Sequence, residues 1–314
     1  MEKIKTSTYT GIRKGWDGFI WMLKILVPVS FFTLLLQYSG WLNSLDFILQ
    51  PAMQVMGLPS VAALPLIVGM LTGIYGGIAA MIVLPLTQGQ MTLIAIFLLI
   101  SHSLIQEGII QGKSGINPVK ATLFRLAASF TTVTAVSSFM PVETAVQAAA
   151  VPASTVAVAF SELLKQWGLA MTALAFKILV IIVSLMIALE LMKAFNIIER
   201  LVRTLNPVLS LLGLDRQVGM LWLAAAIFGI AYGGAVIVEE TKQGHYEKEA
   251  LERLHLSIGI NHAMIEDPLL FLPLGIGAFW LWIPRLLAAV AAVHFLKGMS
   301  RIRAALMAPV GKTG

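Results

Sequence analysis

Long apolar runs separated by short polar stretches dominate the chain. A helix that crosses a membrane needs about 20 consecutive, mostly apolar residues, and eight runs come close to that length or exceed it. They cover 18–37, 61–86, 91–110, 118–140, 169–194, 218–238, 254–274 and 276–297. The pattern predicts an all-α, polytopic membrane protein with about eight transmembrane helices, in a range of about 7–10.

Three stretches between these runs are less apolar. The segments 42–56 and 197–212 have an amphipathic pattern and are expected to lie at the membrane surface. The segment 142–163 is interrupted by Pro152 and bracketed by Glu143 and Glu162, so it is either a connector or a further span. Four spans in each half favour two parallel halves, whereas a span at 142–163 would make them inverted.

Composition agrees with the membrane assignment. The chain is 58% hydrophobic and 12% charged, against about 25% charged residues in soluble domains. A mean hydropathy of +0.86 means more apolar surface than one soluble core of 314 residues can bury. A soluble enzyme, a nucleic-acid-binding protein and a disordered regulator are therefore excluded. Because cysteine is absent, disulfides, thiolate metal ligands and a cysteine nucleophile are excluded as well.

The net charge of +6 does not form a basic stripe. Lysine and arginine lie at the ends of the apolar runs, where they orient helices in a membrane. With eight spans and a cytoplasmic N-terminus, the cytoplasmic segments hold 12 of these residues and the opposite side holds 6. This bias predicts that both termini are cytoplasmic.

The two halves of the chain share short matching segments. Residues 24–27 recur at 177–180, residues 75–77 at 232–234, and the pattern of 100–107 at 260–267. Self-similarity of this kind predicts two homologous repeats with broken helices, an arrangement typical of transporters. The expected domains are a first repeat at 1–140, a connector at 141–168, a second repeat at 169–300 and a basic tail at 301–314.

Ionisable residues within the apolar runs belong to this repeat. His102, Glu107 and Arg125 recur as His262, Asp267 and Arg285. Such groups are costly at membrane depth, so we expect them to pair and to face the protein interior. In each half the acid and the arginine are 18 residues apart with a glycine-containing turn midway. A helical hairpin would therefore bring them to one height, about 13 Å from its tip and near the middle of the membrane.

Two further motifs suggest helix breaks. Asp267-Pro268 combines a preferred N-cap with a preferred first helical residue, which predicts the start of a new helix. Tyr75-Gly76-Gly77 and its counterpart Tyr232-Gly233-Gly234 are either breaks of this kind or sites of close helix packing through small residues.

Three hypotheses fit the layer of histidines, acids and arginines. It is a set of structural ion pairs, a site for a polar solute, or a site for a divalent metal such as Fe²⁺ or Mn²⁺, with two histidines and the acids Glu107, Glu266 and Asp267 as ligands. The arginines weigh against the metal unless the acids are shared. No catalytic residue is expected, because His102 lacks the second histidine of a zincin helix and the chain has no phosphate-binding glycine loop.

The segments 101–107 and 261–267, with Tyr75-Gly76-Gly77 and Arg285, resemble the nucleoside-recognition or Gate family of prokaryotic membrane proteins. Two Gate-like units would cover about 60–138 and 216–297. Related modules occur in concentrative nucleoside transporters and in the membrane part of the ferrous-iron transporter. The chain differs from the latter in lacking a GTPase domain and cysteines in its spans. The resemblance implies a multi-pass protein of the prokaryotic inner membrane that is related to transport.

The sequence thus predicts a carrier for a small polar solute, with nucleosides as a candidate class. A non-transporting scaffold and a divalent-metal transporter are the alternatives. Expected partners are membrane lipid, a small-molecule or ion substrate and a second copy in a homodimer; neither a cofactor nor a nucleic acid is expected. The predicted substrate-binding residues are Tyr75, Gly76, Gly77, His102, Glu107, Arg125, Tyr232, Gly233, Gly234, Asn261, His262, Glu266, Asp267 and Arg285.

Overall fold

The computed structural model describes residues 2–41, 46–140, 160–197, 209, 211–214, 218–242 and 246–307. Over these ranges the chain forms helices and turns without a strand, so the predicted all-α class is confirmed. The longer helices are α1 (Glu2–Tyr38), α2 (Asp46–Val55), α3 (Ala63–Thr72), α4 (Ile74–Met81), α5 (Gln88–Ser101), α6 (Leu104–Lys113), α7 (Pro118–Ser137), α8 (Phe160–Ala194), α9 (Gly219–Lys242), α10 (Lys248–Ile260), α11 (Glu266–Phe271) and α12 (Ala278–Met307).

Four described helical segments are long and apolar enough to cross a membrane, and a bent pair makes a fifth candidate. The four are Glu2–Tyr38, Gln88–Lys113, Phe160–Ala194 and Ala278–Met299. The fifth joins Leu49–Val55 to Ser60–Thr72 through a 90° bend. Most of the predicted segments 142–163 and 197–212 lies outside the described residues.

The predicted span 61–86 is not one continuous helix. Its chain reverses at Gly73, which has a φ of +98° that suits glycine. A Cβ built on Gly77 would lie 3.4 Å from the Gly69 Cα and 3.4 Å from the Pro65 carbonyl oxygen. Twelve residues of straight helix would separate Gly77 from Pro65 by about 18 Å. Helix α4 therefore folds back on α3, and the two form a short helical hairpin.

The predicted span 218–238 is interrupted in the same way. Gly229, inside α9, has a φ of +70° and non-helical geometry. A Cβ on Gly233 would lie 2.5 Å from the Ala225 Cα, so the arm after Gly229 folds back on the arm before it. Both predicted glycine motifs lie in the second arm of a hairpin. The breaks themselves occur earlier, at Gly73 and Gly229, and the motif glycines contribute close packing between or around the arms.

Helices α1 and α8 form a long antiparallel pair. A Cβ on Gly11 would lie 2.5 Å from the Ile187 Cα, so the helix axes approach closely there. At the other end the rings of Tyr38 and Phe160 are 5.1 Å apart. Early residues of α1 thus contact late residues of α8, and late residues of α1 contact early residues of α8. Helix packing through small residues in this manner is common in membranes.

Helix α5 is largely buried, with every residue from Thr92 to Ser101 inside the protein. It packs against the α3–α4 hairpin and α7. Away from this core, an apolar groove of about 840 Å³ lies between α7 and α12. Phe279 and Phe295 in this groove are 60% and 63% exposed. Large exposed apolar side chains on such a surface are suited to contact with lipid.

Candidate functional site

Two helices break at corresponding places. Helix α5 ends at Ser101, His102 is extended, Ser103 has a φ of +50°, and α6 then begins at Leu104. In the second half α10 ends at Ile260 and α11 begins at Glu266, with Ala263 at a φ of +43° between them. The predicted new helix near Asp267-Pro268 is present, but it starts one residue earlier, so Asp267 is not its N-cap.

Each hairpin provides backbone acceptors for the neighbouring break. The Ser103 backbone N–H donates to the Gly69 carbonyl oxygen at 3.2 Å. The Ala263 N–H donates to the Ala225 oxygen at 3.0 Å, and the next N–H donates to Ala226 at 2.7 Å. A break at membrane depth is tolerated only where protein or internal water satisfies the freed backbone groups. The hairpins meet that requirement.

The buried arginines satisfy the carbonyl groups at both breaks. The Nε of Arg125 donates to the Ile100 carbonyl at 2.9 Å, and its Nη2 donates to that of His102 at 3.0 Å. Arg285 repeats this arrangement 160 residues later, donating from Nε to Ile260 at 2.7 Å and from Nη2 to His262. A cation is favourable where the last carbonyls of a helix are free. Each arginine thus stabilises a helix end.

The acid–arginine pairing differs between the halves. Glu107 and Arg125 form a bidentate ion pair, with Oε2 2.5 Å from Nη1 and Oε1 3.0 Å from Nη2. The corresponding pair predicted for Asp267 and Arg285 is wrong, because these two side chains form no ion pair within 4.0 Å. The Asp267 Oδ2 and the Arg285 Nη1 are instead buried without a hydrogen-bond partner.

The two histidines of the repeat face each other. Their Nε2 atoms are 3.2 Å apart. Each Nδ1 lies 2.8 Å from a backbone carbonyl oxygen, that of Leu98 for His102 and that of Ile258 for His262. Because a carbonyl only accepts, each Nδ1 carries a hydrogen. In the neutral rings the lone pairs of both Nε2 atoms therefore lie in the space between the halves.

Two carboxylates border the same space. The His262 Nε2 is 3.3 Å from the Glu107 Oε1, and the His102 Nε2 is 3.5 Å from the Asp267 Oδ2. His102, Glu107 and His262 each offer one ligand atom, all within 4.8 Å of one another. All four side chains are buried. Residues from both halves thus form one cluster, which we call the central cluster: His102, Glu107, His262 and Asp267.

The other predicted site residues lie around the central cluster. Tyr75 donates its hydroxyl hydrogen to the Glu266 Oε1 at 3.2 Å, which connects a hairpin of one half to a broken helix of the other. Asn261 is fully buried, and its amide nitrogen and oxygen lack partners. Gly76, Gly77, Gly233 and Gly234 serve helix packing; a Cβ on Gly234 would lie 2.8 Å from a side-chain carbon of Ile110. The side chain of Tyr232 lies outside the described part of the structure.

Two residues that lie beside the central cluster or the second helix break, Gln111 and Trp282, were not predicted. Gln111 is buried with both amide atoms unpartnered, one helical turn after Glu107. The i, i+4 spacing from Glu107 could have identified it, because such residues share a helix face. Trp282 donates its Nε1 hydrogen to the Met264 carbonyl oxygen at 2.8 Å, across the second break. No local sequence signal predicts that contact.

Apolar helices of membrane-spanning length, helical hairpins and a buried charged cluster define a polytopic helical membrane protein with an internal polar site. The model of the Gate family, described as nucleoside recognition, matches residues 19–161. A membrane protein of Bacillus subtilis (strain 168), YvoD, itself uncharacterized, is 30% identical over 287 residues, which are 89% of this chain and 90% of the relative. The chain therefore belongs to the Gate, or nucleoside-recognition, family of membrane proteins. No solved structure matches the chain.

Proposed function

We propose that the protein is a multi-pass carrier of the inner membrane that binds a small polar solute at the central cluster. One observation supports this most directly: both hairpin tips and both helix breaks meet there. A Cβ on Gly73 would lie 2.8 Å from the Ser103 Oγ, and a Cβ on Gly229 would lie 3.3 Å from the Ala263 Cβ. Discontinuous helices that meet between two repeats are typical of solute sites in secondary transporters.

We further infer that the two halves are inverted repeats. Helices α1 and α8 contain the matching segments 24–27 and 177–180, and they pack antiparallel. Each half then contains three crossings and one hairpin that enters and leaves on the same side. The crossings are α1, α5 with α6, and α7 in the first half, and α8, α10 with α11, and α12 in the second. Six crossings replace the eight expected from hydropathy, and both termini remain cytoplasmic.

The distribution of positive charge supports this topology. Among residues with described side chains, ten lysines and arginines outside the apolar crossings fall on the cytoplasmic side and one falls on the other. The single residue is Lys165, at the start of α8. The ten are Lys3, Lys5, Arg13, Lys14, Lys113, Lys120, Lys193, Lys248, Arg253 and Lys297. The arrangement obeys the positive-inside rule more strictly than the eight-span alternative does.

The burial of the central cluster corresponds to an occluded conformation. A carrier must also open to each side, so water should reach the helix breaks during its cycle. The absence of native cysteine permits a direct test with single thiols at Ser103 and Ala263. In intact cells and in inverted vesicles, we expect a membrane-impermeant maleimide to label at least one of them, while a thiol at the lipid-facing Leu123 stays unlabelled.

The control is a separate variant, Lys113→Cys, whose exposed thiol should be labelled. If that control is labelled but the thiols at positions 103 and 263 react from neither side, the carrier proposal is overturned in favour of the scaffold. A second test measures uptake into proteoliposomes of three probes added outside: tritiated uridine, tritiated adenosine and Mn²⁺. We expect uptake of at least one of these probes and its loss in Asp267→Asn, with the variant still monodisperse. Intact uptake in Asp267→Asn would mean that the solute binds elsewhere.

A further inference from the structure

The central cluster has the donor spacing of a small metal site. The two histidine Nε2 atoms are 3.2 Å apart. The Glu107 Oε1 lies 3.3 Å from the Nε2 of His262 and 3.8 Å from that of His102. The Asp267 Oδ2 lies 3.5 Å from the Nε2 of His102 and 3.9 Å from that of His262. A tetrahedral ion with bonds of about 2.1 Å places its ligand atoms about 3.4 Å apart. The two histidine nitrogens and the Glu107 Oε1 already lie near this separation, and the Asp267 Oδ2 lies near it from both histidines.

The histidine rings are also oriented as metal ligands are. Metal-bound histidine commonly donates its second N–H to a backbone carbonyl or a carboxylate, which fixes the tautomer. Both rings make that bond, through Nδ1 to Leu98 and Ile258. With both rings neutral, the two Nε2 lone pairs are then 3.2 Å apart, an arrangement that is repulsive unless a proton or a metal ion lies between them. Their geometry is therefore suited to a bound cation.

The acidic side of the cluster supplies a second, independent observation. Asp267 is 8% exposed, and its Oδ2 has no hydrogen-bond partner. A buried carboxylate oxygen normally has a donor or a cation beside it. Arg125 is occupied by Glu107 and two carbonyl groups, and Arg285 does not reach Asp267. A cation between the histidines would satisfy the Oδ2, which lies 3.5 and 3.9 Å from their Nε2 atoms.

We propose that His102, His262, Glu107 and Asp267 bind one divalent transition-metal ion of the Zn²⁺, Fe²⁺ or Mn²⁺ class. Two imidazole and two carboxylate donors suit these ions, whereas Mg²⁺ and Ca²⁺ prefer an all-oxygen shell with more ligands. Each half contributes one histidine and one acid, so the ion bridges the halves in the occluded conformation. The proposal rests on the same four residues as the proposed solute site, so the ion is either the carried solute or a partner in binding it.

The test measures metal binding directly on the full chain after removal of any histidine tag. Purified protein in detergent is dialysed against Zn²⁺, and bound metal is counted by mass spectrometry. We expect one Zn²⁺ per chain and no competition from excess Mg²⁺. Loss of a group that only orients a ligand costs about 10–100-fold in metal affinity, so His262→Gln and Asp267→Asn should each weaken binding by about 100-fold or more. Wild-type protein without bound Zn²⁺ would overturn the proposal.

A matched control is His294→Gln. This histidine also directs Nδ1 to a backbone carbonyl, that of Val290, at 2.9 Å, but it is exposed and far along α12 from the cluster. Its variant should bind Zn²⁺ like the wild type. Equal binding by wild type, His262→Gln and Asp267→Asn would place the metal elsewhere and overturn the proposal.

A spectroscopic measurement covers the case in which a ligand variant does not fold. Co²⁺ in a four-coordinate site absorbs strongly in the visible range, whereas six-coordinate Co²⁺ absorbs weakly. We expect the intense spectrum from wild-type protein, and its disappearance when Zn²⁺ is added. A weak spectrum that Zn²⁺ leaves unchanged would contradict the four-ligand site. Because neither measurement involves transport, failure here leaves the thiol-accessibility test of the carrier unaffected.

Discussion

Arg125 donates hydrogen bonds to three buried acceptors, two backbone carbonyls and one carboxylate. It donates to the carbonyls of Ile100 and His102 as well as to Glu107. Removing the guanidinium leaves two buried carbonyls and one buried carboxylate without a donor. Removing one partner of a buried ion pair costs about 3–5 kcal/mol in soluble proteins. Glu107→Gln should destabilise the protein less than loss of the arginine does, because an amide oxygen can still accept from Arg125.

We therefore expect Arg125→Gln to lower the melting temperature in detergent more than Glu107→Gln does. Lys120→Gln is the control, since Lys120 pairs with Glu252 at the surface, where such pairs contribute about 0–1 kcal/mol. Melting curves of the three variants against wild type provide the comparison. A Glu107→Gln protein that melts below Arg125→Gln would contradict the assigned role of the arginine.

Residue spacing predicted part of the central cluster and missed part of it. The matching offset identified both histidines, and the 18-residue spacing anticipated the Glu107–Arg125 pair. The same spacing failed for Asp267, although its backbone N–H donates to the Ala263 carbonyl just as that of Glu107 donates to the Ser103 carbonyl. The two acids therefore occupy equivalent helical positions. The aspartate side chain is one methylene shorter than glutamate, and residue spacing takes no account of that difference in reach.

At the scale of helices, the hairpin reversals decide the architecture, and each reversal depends on one glycine. Gly73→Ala must adopt a φ of +98° with a ψ near 180°, a region that essentially only glycine occupies, which costs about 1–3 kcal/mol for a residue with a Cβ. Its Cβ would also lie 2.8 Å from the Ser103 Oγ, so the hairpin and the helix break must move apart. We expect Gly73→Ala to be less thermally stable than wild type, and the loss should exceed the cost of the strained backbone conformation alone because of the added clash.

Two glycines separate these contributions. Gly115→Ala meets open space at a φ of +85°, so it measures the backbone term without a clash. Gly168→Ala meets open space inside α8 at a helical φ and should be neutral or stabilising by about 1 kcal/mol. The melting temperature is expected to be highest for Gly168→Ala, lower for Gly115→Ala and lowest for Gly73→Ala. Equal values for Gly115→Ala and Gly73→Ala would mean that the hairpin tip does not press against the break.

Hydropathy could not predict these reversals. A run of 20 apolar residues is equally compatible with one crossing helix and with two ten-residue arms, because both bury the same side chains in an apolar environment. A lone glycine is tolerated within a continuous helix, so it does not mark a turn by itself. The all-α class depends only on composition and run length and was predictable, whereas chain direction depends on tertiary contacts such as Gly77 with Pro65.

At the scale of the whole molecule, the six-crossing and eight-crossing topologies place two loops on opposite sides. With six crossings, the loop after α4 lies outside and the loop after α6 lies in the cytoplasm; with eight, both are reversed. Gln88 and Lys113 are exposed residues next to these loops. We expect an impermeant maleimide to label Gln88→Cys in intact cells and Lys113→Cys in inverted vesicles. Gly277→Cys and Lys248→Cys are controls, because both topologies place the former outside and the latter inside. Labelling of Lys113→Cys in intact cells, with correct controls, would restore the eight-crossing topology. The reason to expect otherwise is physical: the six-crossing arrangement keeps Lys113 and Lys120 with the other cytoplasmic cations and gives α1 and α8 the opposite directions in which they pack.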